Sequence, residues 1–420
     1  MKSSRRADRA LVDDNRTPGS NLRTALGLAP GSAVAIGLAR FAYALLLPSM
    51  RSNLHWSFAL AGAMNTANAL GYLIGALLTA VLIRRFGSRQ VFIASLGVTV
   101  VTLVLTGASS NTLVLVALRA TAGMSGAITF IAGAGLVVMA SSNTSSRQST
   151  KLLGIYFAGG GAAIIATGLV IPYLLSVTTS ADGWRWGWAL LAGLGTVSFV
   201  ISTRTALACA DPPKPPAGQR RWPVGRLGPI LLSYALFGAG YIAYMTFIVA
   251  FLKDHGMGPG GVTAFWVVLG ASSIIGAFAW ARPISRLRGG FGLVMILSVI
   301  SIGAMLPLLS RSSVASLGSA VVFGGSFLST ITAVTAVSRR ALEPHHWTPA
   351  IAGLTVAFAL GQCLGPILAG VLSDGPAGLS VGLTLSVTVL LLATVVASTQ
   401  KHYERPGHSR LVATDQSDPT

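Results

Sequence analysis

Gly37-Leu38-Ala39-Arg40-Phe41-Ala42-Tyr43-Ala44-Leu45-Leu46-Leu47-Pro48 places a guanidinium inside an apolar run that extends from Leu26 to Met50. As a helix this run rises roughly 36 Å at about 1.5 Å per residue, against a hydrocarbon core of about 30 Å. Arg40 therefore lies far from both ends, and a charge at that depth is costly unless a wet cavity or polar partners receive it. The stretch predicts a membrane-spanning helix with a functional site at its middle, inside a bundle that the remaining chain must supply.

The composition supplies it. Of 420 residues 52% are hydrophobic and only 10% charged, with a mean hydropathy of +0.70, which excludes a soluble domain of useful size. Further apolar segments of span length run from Ala59 to Ile83, Val91 to Ala108, Thr112 to Met139, Leu152 to Leu175, Trp184 to Thr203, Leu227 to Leu252, Val262 to Ala281, Phe291 to Leu309, Val314 to Val337, Ala350 to Leu372 and Leu379 to Ser398. With the first they predict an all-α membrane protein of twelve transmembrane helices.

A formal net charge of +19 invites a nucleic-acid reading, and the placement of the basic residues rejects it. With both termini taken as cytoplasmic, the outside loops hold only Arg51, Arg185, Lys253 and Arg311. Nearly all other Lys and Arg fall in the tails and inside loops. That asymmetry predicts an N-in, C-in topology in a plasma (bacterial inner) membrane, with no nucleic-acid partner. The eight tryptophans fall near expected span ends, which predicts interfacial placement. Cys209 and Cys363 have no Cys or His neighbours, so neither a disulfide framework nor a metal site is expected, and no cofactor fingerprint is present.

The organisation follows. Residues 1–23 read as a basic cytoplasmic tail, 24–203 as a six-helix bundle, 204–226 as a Pro-rich basic linker, 227–398 as a second six-helix bundle, and 399–420 as a second tail. His55 and His255, and Arg84-Arg85-Phe86-Gly87 and Arg286-Leu287-Arg288-Gly289, recur about 200 residues apart, as a duplicated unit would leave them. Small residues at four-residue spacing (Ala67, Gly71, Gly75 and Thr79; Gly154, Ala158, Ala162 and Ala166; Gly353, Ala357, Gly361, Gly365 and Ala369; more weakly Ser273, Ala277 and Ala281) mark the second, fifth, eleventh and eighth spans as close-packing. These four helices are expected to form the sliding seam between the halves.

Twelve spans in two halves, a Pro-rich basic central loop and a basic loop after the second span resemble the major facilitator superfamily over nearly the whole chain. Gly37 to Pro48, Asn68-Ala69-Leu70-Gly71-Tyr72-Leu73-Ile74-Gly75-Ala76 and Gly240-Tyr241-Ile242-Ala243-Tyr244-Met245-Thr246-Phe247 resemble its YbfB-like branch. The resemblance implies the major facilitator fold, with two pseudo-symmetric six-helix bundles, and a transporter of a small-molecule substrate. The superfamily loop pattern G-x-x-x-D-R-x-G-R-R falls on Ala80 to Arg89, where Arg85, Gly87 and Arg89 match while Arg84 stands in the aspartate position. Arg84, Arg85, Gly87, Arg89 and Arg286 become candidates for inner-loop gating, although the missing carboxylate removes one partner of the family's charge lock. Arg119-Ala120-Thr121-Ala122-Gly123 is similar to the family's R-x-x-x-G element, whose arginine is linked to proton coupling in some members. The Gly-Pro bend of antiporters appears as Gly365-Pro366 in the eleventh span rather than the fifth, so antiport is not supported.

No carboxylate or histidine lies deep in a span, which disfavours a proton-driven mechanism. Arg40 and Arg119 are expected at similar depths. Either a bound anion supplies the missing negative charge to these planar forks, or backbone carbonyls, hydroxyls and water satisfy them structurally. Asn65, Asn68 and Tyr72 share a helical face of the second span, and Tyr241, Tyr244 and Gln362 are candidates from the other half. With Tyr43 in the opening stretch they complete the expected substrate-binding set. The expectation is alternating-access transport of a small organic anion such as a monocarboxylate by a monomer in the lipid bilayer. The alternatives are efflux of neutral or amphipathic compounds with Arg40 and Arg119 structural, and, remotely, a membrane sensor or scaffold.

Overall fold

The computed structural model describes residues 18–178, 180–211, 222–287 and 289–401. Residues 212–221 of the expected linker and most of both expected tails (1–17 and 402–420) lie outside the described residues. Twelve helices are long and apolar enough to cross a membrane: α1 Ser20–Asn53, α2 Phe58–Phe86, α3 Ser88–Ala108, α4 Thr112–Ala140, α5 Arg147–Val177, α6 Gly183–Leu207, α7 Val224–Asp254, α8 Pro259–Ala279, α9 Phe291–Leu309, α10 Ser313–Ala341, α11 Pro349–Ser373 and α12 Leu379–Ser398. Side-chain caps set several starts: Ser57 Oγ accepts from the Leu60 amide at 3.1 Å, and Asn111 Oδ1 from Leu113 and Val114 at 3.0 and 3.2 Å. Between α2 and α3 the turn is made by Gly87 at φ +82°, a conformation that favours a residue without Cβ.

Helix pairing repeats between halves. Within the first, α1 packs on α5 and α6, α2 on α4, and α3 on α4 and α6; within the second, α7 packs on α11 and α12, α8 on α10, and α9 on α10 and α12. The chain is thus two pseudo-symmetric six-helix bundles. Equivalent glycines allow equivalent approaches. A Cβ at Gly71 would fall on the Ala120 carbonyl oxygen between α2 and α4, and one at Gly276 on the Gly325 carbonyl oxygen between α8 and α10. In lipid such backbone contact replaces the hydrophobic effect as the source of association.

The seam uses the expected helices, α2 and α11 through faces other than their longest stripes. α2 meets α11 and α5 meets α8, but the Gly71–Gly75 side of α2 lies on α4 and the Gly361–Gly365 side of α11 on α7. The cross-half approach instead uses Gly62, whose Cβ would meet the Pro366 backbone, and Gly370, whose Cβ would meet Phe58. The reason is that α2 and α11 each have two close-packed sides and the longest small-residue stripe of each serves the partner within its own bundle; between α5 and α8, Gly154 of the stripe meets Phe278, and Gly161 meets Ser273, across the seam.

Closure of the seam is documented at the end opposite the termini. There both Asp374 carboxylate oxygens accept from the α2 start, from Phe58 N at 2.6 Å and Ala59 N at 2.9 Å, and Thr66 Oγ1 donates to the Cys363 carbonyl at 2.8 Å. Of α1, the half nearer this loop end (Tyr43–Asn53) packs on α7, whereas the half nearer the termini (Pro18–Ser32) packs mainly within its own bundle.

One expectation is corrected. Trp184, Trp188 and Trp266 sit at the expected depth but are fully buried rather than interfacial. Trp184 Nε1 donates to Asn53 Oδ1 at 2.8 Å and Trp188 Nε1 to Met50 Sδ at 3.3 Å, so two of the three rings anchor α6 to α1. A carboxylate from elsewhere meets the loop after α2: Asp211, after α6, accepts from the Arg89 amide at 2.7 Å and lies against Gly87, holding the start of α3.

Candidate functional site

The middle of α1 is not α-helical. Ala33–Phe41 forms a π-helical segment, closed by the Ala42 amide on the Gly37 carbonyl at 2.9 Å. Such wide turns are rare and concentrate at functional positions. Here the segment carries Arg40 on its last turn and packs Gly37 against Ala163 of α5.

Arg40 reaches across the seam. Its side chain is buried, with 5% of its surface exposed. Nη2 donates to Gln362 Oε1 on α11 and to the Tyr241 hydroxyl on α7 at 3.3 Å. Gln362 Nε2 in turn donates to that hydroxyl at 3.0 Å, closing a triangle of two helices from one half around a cation from the other. On its own side the guanidinium lies 5.0 Å from the Tyr72 ring centroid.

Arg119, 2% exposed, converges on the same level from α4. Nη1 donates to the carbonyl of Ala39, the residue before Arg40, at 2.5 Å, and Nη2 to Asn65 Oδ1 at 3.1 Å. The Tyr43 ring centroid lies 4.7 Å from its guanidinium carbon, and the Tyr43 hydroxyl donates to the Ala61 carbonyl at 2.9 Å. Asn65 Nδ2 continues across the seam to Thr246 Oγ1 on α7 at 2.6 Å. Both arginines therefore connect to the opposite half, Arg40 directly and Arg119 through Asn65.

Electrostatically the pair is uncompensated. Neither guanidinium meets a carboxylate among the described residues; each is held by neutral acceptors and ring faces, and each keeps a buried Nε–H without an acceptor. A guanidinium presents five donors, more than the neutral acceptors around either group take up. Two cavities described at the loop end are separate from this centre. One of about 80 Å³ is lined by Leu45, Leu175, Val249 and Val262, and another of about 420 Å³ by Pro48, Ser52, His55 and Lys253.

Of the sequence-derived set, Arg40, Tyr72, Tyr241 and Gln362 come together, as do Arg119, Tyr43 and Asn65. Two do not join. Asn68 Nδ2 donates to the Arg119 backbone carbonyl at 3.1 Å and ties α2 to α4, and the Tyr244 hydroxyl pairs with Ser319 of α10 at 2.5 Å. Thr246 was missed, since a lone threonine in an apolar helix carries no signal. Tyr234 and Phe237 were missed too, although their spacing with Tyr241 (i, i+3, i+7) marks one helix face. In the loops, Arg85 stacks on Phe86, the Arg89 backbone meets Asp211, and Arg286 ends the short helix Ala281–Arg286.

The family model described as "Uncharacterised MFS-type transporter YbfB" matches residues 32–398. The chain is 28% identical over 397 residues to the inner membrane transport protein YdhP of Escherichia coli strain K12, covering 89% of this chain and 96% of that one. Among solved structures, a bacterial homolog of the human lysosomal transporter Spinster, inward-facing and occupied, superposes with a TM-score of 0.73 at 15% identity, covering 97% of this chain and all of that one. The nucleoside transporter NupG superposes with a TM-score of 0.66 at 14% identity, covering 90% and 98%.

Proposed function

The chain belongs to the YbfB-type family of major facilitator membrane transporters, and on that premise we propose that it carries a small organic anion, most simply a monocarboxylate, by alternating access. One observation carries this reading: two buried guanidinium groups meet at the seam, with free donors and no carboxylate among the described residues. Burying two like charges without a counter-ion is unfavourable by several kcal/mol per ion, on the order of the penalty that an enclosed anion offsets. Rocking of the two halves then exposes the neutralised site to each side in turn. Arg40 is the primary ligand, because its present acceptors belong to the opposite half and separate from it when the halves move. Tyr72, Tyr241 and Gln362 complete the binding set.

In this reading the protein is a monomer in the bacterial inner membrane, as the name of the Escherichia coli relative suggests, with both termini cytoplasmic as the basic-residue asymmetry argues. Arg84, Arg85, Gly87, Arg89 and Arg286 line the inner loops that part when the inner side opens. Transport is facilitated or exchange transport, without a membrane-embedded proton carrier. A second reading, efflux of amphipathic compounds with both arginines structural, is favoured by the neutral partners each arginine already has and by the aromatic rings around Arg40.

Reconstituted vesicles test the proposal. Saturable counterflow is expected with a pool of organic acids. Arg40→Gln abolishes it in a protein whose thermal unfolding is unchanged, and Arg40→Lys restores part of it. Counterflow undiminished by Arg40→Gln overturns the anion site and leaves the efflux reading.

A further inference from the structure

The surroundings of Arg40 change character toward the terminal end. Tyr234, Phe237 and Tyr241 repeat along one face of α7, and their rings stack nearly parallel: centroids 6.0 Å apart at 4° for the first pair and 5.0 Å at 18° for the second. Phe358 of α11 lies parallel to all three, at 4.6, 5.7 and 5.6 Å. The array starts at the hydroxyl that receives Arg40 and runs seven residues, roughly 10 Å, along α7. Tyr241, Phe237 and Tyr234 are buried. Phe358 and, from the opposite half, Tyr72 are partly buried. Tyr72 lies beside Arg40, its ring centroid 5.0 Å from the guanidinium carbon.

A cation flanked by the Tyr72 ring on its own half, with a parallel array of rings beyond it on the other, selects an anion with a flat apolar body. We propose that the cargo is an aromatic carboxylate, its carboxylate on Arg40 and its ring against Phe358 and Tyr72. The proposal rests on the anion reading and narrows it. A short acid such as acetate leaves both ring faces unused, and a phosphate finds no second donor-rich surface among these rings. A saturated ring has the bulk without the quadrupole that orients aromatic pairs.

Titration calorimetry on the purified full-length protein in detergent decides it, with benzoate, cyclohexanecarboxylate and acetate as probes. Benzoate is expected to bind about tenfold more tightly than acetate, with cyclohexanecarboxylate between them. Phe358→Leu, of similar volume, closes most of the gap between benzoate and acetate, and Tyr72→Leu acts in the same direction. Equal affinity for benzoate and acetate, or a gap untouched by both substitutions, overturns the aromatic assignment while binding lost in Arg40→Gln sustains the anion site. If none of the three acids binds, or binding survives Arg40→Gln, the anion reading itself fails and this assignment fails with it.

Discussion

Arg40 and Gln362, 322 positions apart in the chain, are joined by a hydrogen bond from Nη2 to Oε1 that crosses between the two six-helix bundles. The bond is local evidence of how the halves are coupled: a cation in one is held by a neutral acceptor in the other, and an acceptor of higher charge competes with that arrangement.

Replacing the neutral acceptor by a charged one tests this coupling. Gln362→Glu places a tethered carboxylate on the Arg40 fork, neutralising a buried charge that is otherwise uncompensated. The protein is expected to unfold at a higher temperature and to lose at least about tenfold in counterflow rate, since a good buried pair is worth a few kcal/mol. Wild-type transport together with unchanged melting contradicts the assignment of Gln362 as a seam acceptor for Arg40.

Asp374 holds the loop end closed through two charge-assisted bonds to Phe58 and Ala59. Asp374→Asn keeps the shape and weakens the clamp by about 1–2 kcal/mol, which shifts an open-closed ratio roughly 5- to 30-fold. Cys363, whose carbonyl receives Thr66 roughly 16 Å along α11 from the clamp, reports the shift. In a Cys209→Ser background its labelling by an impermeant maleimide from the loop end is expected to accelerate several-fold. An unaltered labelling rate shows that the clamp does not govern closure.

Close packing within each bundle predicts a sharp contrast between glycines. Gly71→Ala drives a Cβ into the Ala120 carbonyl, whereas Gly193→Ala meets nothing within 4 Å. The first is expected to lose about 1–3 kcal/mol of stability through overpacking, and the second to melt as wild type. Equal melting temperatures remove the argument that α2 and α4 touch backbone to backbone.

The described carboxylates and histidines, Asp182, Asp211, Asp254, Asp374, Glu343, His55, His255, His345 and His346, all lie in loops or at helix ends. An arginine does not titrate in the working range, so counterflow of a permanently ionised probe such as benzenesulfonate is expected to vary by less than about twofold between pH 6 and 8. A steep change in that interval identifies a proton-coupled group that these residues do not account for.

Helix number, span limits and the depth of Arg40 and Arg119 were legible in the sequence because lipid imposes them through length and apolar content alone. What was not legible is orientation about each helix axis. The Ala67-Gly71-Gly75-Thr79 stripe reads the same whether it faces α4 or α11, and Tyr244 lies one turn from Tyr241 yet turns toward α10. The π-helical segment Ala33–Phe41 has no marker among residues that would equally form an α-helix, and it changes which way Arg40 points. Asp211 supplies its acid from well over a hundred residues beyond the loop it serves, where no local motif can announce it.

The two uncompensated guanidinium groups also have an electrical consequence. An elementary charge that crosses the whole membrane potential exchanges about 2.3 kcal/mol per 100 mV. A carrier that turns over empty shifts two such charges within the field, whereas one turning over with a bound monoanion shifts one. On the proposed anion reading, voltage acts chiefly on the unloaded return, and a polarised membrane biases the carrier toward swapping one anion for another.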